Sequence, residues 1–269
     1  MNDYKLGVIG GGNMATAIVG GAVRSGFLAG DEILLSEPLD AKRVELATTL
    51  GITCVDNIPA TAACEKLLLA VKPQVMPQIT PIIAANIADD TLVISIAAGL
   101  NTKFFDTALN GKGRIVRVMP NTPMMVGEGA SAVCPGPRAT AADVEWVKKL
   151  LTAGGGIVVE VNEQQMDAVT AVSGSGPAYF FYMLEAMIDA GIADGLSREV
   201  ATLLAVQTCK GAAALQASTA EAPEELRRKV TSPGGTTQQA ISVLDAADAK
   251  NTITQAVRAA AEKSRQLGK

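Results

Sequence analysis

The sequence predicts a doubly wound, mostly parallel α/β sheet followed by an all-helical half. Three observations carry that expectation. Short apolar runs alternate with helically spaced stretches up to about residue 160, the pattern of a parallel sheet wrapped by helices. A glycine-rich turn, Gly10-Gly11-Gly12, falls between the first run and the first helix. Beyond about residue 162 the strand signals stop, and helices rich in Ala, Leu and Met take over. The expected domains are therefore residues 1–161 and 162–269.

The strand runs are 6–9, 33–35, 66–70, 92–96, 115–118 and 157–159. They are apolar nearly throughout, as strands buried on both faces must be. Residues 14–25, 40–50 and 141–153 carry helical spacing between them. Pro73, Pro77 and Pro81 are expected to break the segment after the 66–70 run into short pieces, because proline removes an amide donor and clashes with the preceding turn. In the second half, residues 179–193, 199–216 and 238–266 read as helices, and 219–223 as a polar connector. Their apolar faces are large for the size of this half, which points to burial against another subunit.

Composition narrows the function. Hydrophobic residues make up 48% of the 269 residues and aromatic ones 3%, so the core is built from Ala, Val, Ile and Leu. The net charge of -4 offers no basic footprint for nucleic acid. No apolar run reaches the ~18 residues of a membrane helix. Cys54, Cys64, Cys134 and Cys209 are scattered without a CxxC pair, so neither a zinc site nor a disulfide framework is expected, and a reducing cytoplasm is. The chain has 0 histidines. That removes the commonest general base and metal ligand, so no metal is expected, and the chemistry falls to a hydroxyl, a carboxylate, a lysine or an organic cofactor.

Gly10-Gly11-Gly12-Asn13-Met14-Ala15 fits the G-x-G-x-x-G/A fingerprint of a Rossmann dinucleotide site. Gly10 permits the tight turn, Gly12 lets a pyrophosphate approach the backbone, and Ala15 lets the helix pack close to the strand. The second strand run ends at Ser36-Glu37, near the spacing expected for the ribose reader. Ser36, with Lys42 or Arg43, suits a 2′-phosphate. Glu37 suits a free 2′-hydroxyl, or else faces solvent.

Three further clusters, 70–74, 95–99 and 119–123, end strand runs and so lie on the ligand side of an open sheet. Lys72 is the one charge among them, a coenzyme contact or a surface lysine. Ser173-Gly174-Ser175-Gly176-Pro177 and Ser232-Pro233-Gly234-Gly235-Thr236-Thr237 each precede a helix in the second half. The latter offers free amide donors and two hydroxyls, which suit a small carboxylate.

With these residues in hand, the chain resembles the pyrroline-5-carboxylate reductases over nearly its whole length, most specifically in residues 173–179 and 231–237. The resemblance implies reduction of 1-pyrroline-5-carboxylate to L-proline by NADPH or NADH. It also implies a homodimer that assembles into a homodecamer, with each active site between two subunits. By position it assigns coenzyme contacts to Gly10, Gly12, Asn13, Met14, Ser36, Asn57, Ala70, Val71, Lys72, Pro73, Ala97, Ala98 and Gly99, to which the spacing after the second strand run adds Glu37 as a ribose reader. It assigns the substrate to Ser232, Gly235, Thr236 and Thr237, with Thr237 catalytic and Glu163 a weaker match. Glu37 departs from the Ser, Thr or Arg of many relatives. A β-hydroxyacid dehydrogenase is the nearest rival, but its lysine on the first long helix of the second domain has no counterpart, since no lysine lies between Lys149 and Lys210. An imine reductase for other cyclic imines and a non-catalytic dinucleotide sensor are the remaining alternatives.

Overall fold

A computed structural model describes residues 4–219 and 221–268. The chain divides into two compact units, Met1–Ser175 with Ala260–Lys269, and Gly176–Ala259.

The first unit is built on eight strands. In chain order its elements run β1 Leu6–Ile9, α1 Asn13–Arg24, β2 Ile33–Ser36, α2 Asp40–Leu50, β3 Thr53–Val55, α3 Ile58–Ala62, β4 Lys66–Leu69, α4 Met76–Asn86, β5 Leu92–Ser95, α5 Thr102–Ala108, β6 Arg114–Met119, β7 Ala130–Pro135, α6 Ala141–Thr152, β8 Ile157–Glu160 and α7 Met166–Val169. The sheet order is β3-β2-β1-β4-β5-β6-β7-β8. The first six of these strands are parallel, and β7 runs antiparallel to β6. The chain reverses direction across the sheet at the β1–β4 boundary, the place where open α/β sheets bind ligands.

Successive side chains of each strand feed opposite faces. Leu68 packs with Ala15 and Ile18 of α1, Leu46 of α2 and Val147 of α6 on one side. Leu67 and Leu69 pack with Ile79 and Ile83 of α4 and Phe105 of α5 on the other. This double layer explains why the strand runs are apolar throughout rather than alternating.

Among the elements of the first unit, the structure corrects three sequence-based readings. The prolines do not fragment the segment after β4: one short turn, Pro73–Val75, leads into the continuous helix α4 with Pro81 inside it. Pro77 lies in the first turn, where its missing amide costs nothing, and Pro81 removes a single hydrogen bond from a helix well buried through Met76, Ile79 and Ile83. Strand β7, Ala-Ser-Ala-Val-Cys-Pro, is absent from the expected strand runs because its small and polar residues carry little β signal. Strand β3 is absent too, being only 3 residues long.

The second unit is helical: α8 Gly176–Ala193, α9 Arg198–Ser218, α10 Pro223–Lys229, α11 Thr236–Ala246 and the start of α12 Ala249–Leu267. The single helix expected over 238–266 is two, because Asp248 turns left-handed (φ 50°) between α11 and α12, a conformation Asp tolerates better than most residues. Helix α10 begins within the expected connector. It has Pro at its first turn with Glu224 and Glu225, and Arg227, Arg228 and Lys229 in its last turn, which is the charge order a helix dipole favours. Across α8 and α9 only Gly176, Ala201 and Ala205 are buried. Phe181, Tyr182, Leu203 and Leu204 are all more than half exposed.

The last residues of α12 belong to the first unit. There Ser264 Oγ donates to Asp167 Oδ1 at 2.6 Å, and a side chain on Gly99 would meet Leu267 Cβ at 2.8 Å. Among the described residues, no helix is long and apolar enough to cross a membrane.

Candidate active site

The turn between β1 and α1 is shaped by its neighbours. Gly10 has φ +99°, and a Cβ there would lie 2.8 Å from Val71 Cγ1 and 3.0 Å from the Ala70 carbonyl. Its amide donates to the Ser36 carbonyl at 2.9 Å, which fixes the loop to the end of β2. Gly12 is the N-cap of α1 and offers no capping side chain. The first amides of α1 therefore point out of the helix without an acceptor in it. A Cβ on Gly12 would meet nothing within 4 Å, so the space before those amides is open. An uncapped helix start facing open space fits a pyrophosphate.

A cleft of about 380 Å³ continues from this loop along the carboxyl ends of β4, β5 and β6. It gathers Gly12, Asn13 and Met14 with Ala70, Val71, Lys72 and Pro73, and with Ala97 and Ala98. Lys72 is exposed and makes no ion pair among the described residues. The small side chains at 97 and 98 leave room for a flat ring. Asn121, on the β6 side, accepts from Ala130 N at 2.9 Å and donates to the Ser173 carbonyl at 3.3 Å. It ties the cleft wall to the turn Thr170–Gly174, which is wound wider than an α-helix.

The remaining coenzyme candidates lie elsewhere. Ser36 is 3% exposed at the end of β2. Glu37 does not face solvent: it is 9% exposed, and its Oε2 accepts from Gly11 N at 3.0 Å while Oε1 accepts from Leu39 N at 3.1 Å. Asn57 caps α3, its Oδ1 accepting from Ala60 N at 2.9 Å. Gly99 is buried against the end of α12, not in the cleft.

In the helical unit, α11 starts at Thr236 with Gly235 as N-cap, again with no side-chain cap. Gly235 N donates to the Ser232 carbonyl at 3.0 Å, and Gly234 N to Gln238 Oε1 at 2.6 Å. A Cβ on Gly235 would lie 2.5 Å from Ser232 Oγ, so the hydroxyl folds over the turn. Ser232, Gly235, Thr236 and Thr237 thus surround one uncapped helix start.

A model of pyrroline-5-carboxylate reductase dimerisation matches residues 163–267, and one of NADP oxidoreductase, coenzyme F420-dependent, matches residues 5–99. The chain is 40% identical over 268 residues to a pyrroline-5-carboxylate reductase of Pseudomonas aeruginosa, covering 99% of this chain and 98% of the relative. The chain belongs to the pyrroline-5-carboxylate reductase family. Two solved members share its fold over 100% of both chains: one from Coxiella burnetii, with a TM-score of 0.91 and 34% identity, and one from Plasmodium falciparum with NADP bound, with a TM-score of 0.90 and 31% identity.

Within this family member, Glu163 is engaged inside the sheet unit. Its Oε2 accepts from Thr102 N at 3.1 Å and from Thr102 Oγ1 at 2.8 Å, and its Oε1 pairs with the buried Arg117. Burial works against its charged form, but the Thr102 bonds and Arg117 outweigh it and hold the carboxyl below the ordinary glutamate value of 4.5. Sequence reasoning missed both partners, because pairs 46 and 61 residues apart leave no periodic trace. Cys134 lies beside this group, and burial with the nearby Glu163 charge pushes its thiol up to about 11. No cluster among the described residues is arranged to hold a metal ion.

Proposed function

We propose that this chain reduces 1-pyrroline-5-carboxylate to L-proline with NADH or NADPH, in an oligomer whose subunits share each site. The observation that carries the reading is the uncapped start of α11 behind Ser232-Pro233-Gly234-Gly235, on the same chain as the uncapped start of α1 behind Gly10-Gly11-Gly12. Gly12, Asn13 and Met14 would hold the pyrophosphate, and Val71 to Pro73 with Ala97 and Ala98 would line the nicotinamide end. The coenzyme, when bound, supplies the hydride.

The chain supplies position and electrostatics. The amides at the start of α11 anchor the substrate carboxylate, and Ser232 closes over it. Thr237 Oγ1 holds the ring nitrogen and so fixes which face of the imine carbon is presented. The nitrogen takes its proton from water, so the absence of histidine is no obstacle. Glu163 acts as a positioning residue, linking Thr102 at the start of α5 to Arg117 on β6. We place the functional boundary at 161/162, in keeping with a dimerisation segment that starts at 163. We further propose a homodimer that assembles into a homodecamer. The four free thiols favour the cytoplasm.

A steady-state assay tests the reading. The purified protein should oxidise NAD(P)H only when pyrroline-5-carboxylate is present. Turnover with a 2-keto or 3-hydroxy acid but not with the imine would overturn it.

A further inference from the structure

We infer that Glu37 makes this reductase select NADH over NADPH, because its carboxylate is locked where a 2′-phosphate would have to lie. The inference rests on the dinucleotide reading of the cleft. Residue 37 is pinned from three sides. Its amide donates to the Val55 carbonyl of β3 at 2.9 Å. Its carbonyl accepts from Arg43 Nη1 of α2 at 2.8 Å. Its carboxylate accepts from Gly11 N of the phosphate loop and from Leu39 N.

The loop is shaped around that carboxylate. A Cβ on Gly11 would lie 3.2 Å from Glu37 Oε2 and 2.6 Å from Leu46 Cδ1. Position 11 therefore takes a glycine, and the two amide hydrogen bonds hold the carboxylate at the end of β2, which is where dinucleotide folds seat the adenosine ribose. A carboxylate has about four acceptor positions, and two are used here, which leaves acceptors for a ribose diol. It has no donor for a phosphate.

The nearest cations on α2 already have partners. Arg43 spends its guanidinium on the Glu37 and Pro38 carbonyls and on Asp40 Oδ1 at 3.0 Å. Lys42 pairs with Glu45 at 3.0 Å. Ser36 is 3% exposed. A phosphate here would face a fixed like charge, and juxtaposed like charges are strongly disfavoured.

The test is equilibrium binding without imine, followed by coenzyme fluorescence on the intact oligomer. Wild type should bind NADH at least about ten-fold more tightly than NADPH, the minimum expected of a like-charge contact near a surface. Glu37→Gln keeps the side chain's size and an acceptor for Gly11 N. It should tighten NADPH, weaken NADH and bring the ratio of the two Kd values to about one. Glu37→Ser should carry the ratio further toward NADPH. Equal wild-type affinities, or a preference for NADPH, would overturn the inference without any variant being needed. So would variants that change both affinities by the same factor, since Glu37 would then only support the loop. Because binding is read without substrate, failure to reduce the imine leaves this test intact, and a failed ratio leaves the reductase reading intact.

Discussion

At the scale of single residues, the Thr237 hydroxyl is the group most open to test. Removing one hydrogen bond so that its partner is left desolvated and unpaired costs ~1–3 kcal/mol. Thr237→Ala should therefore lower kcat/KM by roughly ten- to hundred-fold, while Thr237→Ser keeps much of the activity and coenzyme affinity stays the same. Steady-state kinetics with a coenzyme titration check this, and an effect confined to coenzyme binding would contradict it. Glu163 makes a different prediction. A carboxyl held below its ordinary value adds stability that is complete above that ordinary value, here 4.5, and is lost as pH falls through the lowered one. Melting temperature should fall on acidification partly through this group. Glu163→Gln should flatten that part of the profile, and an unchanged profile would show that the Arg117 pair carries no linkage. The glycine-rich turn between β1 and α1 could be read from sequence because its residues are contiguous. The burial of Glu37 and the engagement of Glu163 could not, since both depend on partners brought close only by the sheet.

At the scale of elements, the β1–α1 turn separates folding from binding. Gly10 is needed for the backbone: φ is +99°, and a Cβ at this position would meet Val71 and Ala70 atoms within 3.0 Å. Gly10→Ala should lower stability by about 1–3 kcal/mol through strain and contact. Gly12 meets no such demand from the fold, since a Cβ there meets nothing within 4 Å, and we propose that it serves the coenzyme instead. Gly12→Val should melt close to wild type yet lose coenzyme binding. Thermal unfolding beside NADH titration distinguishes the two, and a Gly12→Val protein that binds normally would remove the pyrophosphate from this loop. The alternation of strands and helices was legible because a sheet covered on both faces demands apolar runs. Strand β7 was not, because Ala, Ser and Cys pair through the backbone without a side-chain signature. Nor was the break at Asp248, where one backbone angle divides a pattern that reads as continuous.

At the scale of the whole molecule, the helical unit cannot account for its own composition. Phe181, Tyr182, Leu203 and Leu204 are more than half exposed on helices that bury only three small residues. Each such side chain gains ~1.5–3 kcal/mol on full burial. Leu203→Asp together with Phe181→Asp should therefore shift the oligomer toward smaller species in light scattering and reduce activity in parallel. An active monomer would contradict a shared site. Mixing a Gly12-defective protein with a Thr237-defective one should restore part of the activity once subunits exchange, and no recovery after proven exchange would place both halves of the site on one chain.

The return of α12 to the sheet unit has a mechanical consequence. The chain enters and leaves the helical unit through one compact body, since residues before Gly176 and after Ala259 both belong to it. A force applied between the two ends of the chain is borne first by that body. Its tail is held by the Ser264–Asp167 hydrogen bond and the close approach of Gly99 to Leu267. Pulled in this way, the tail should peel off as an early, low-force event, and tension should reach the helices only after it has let go.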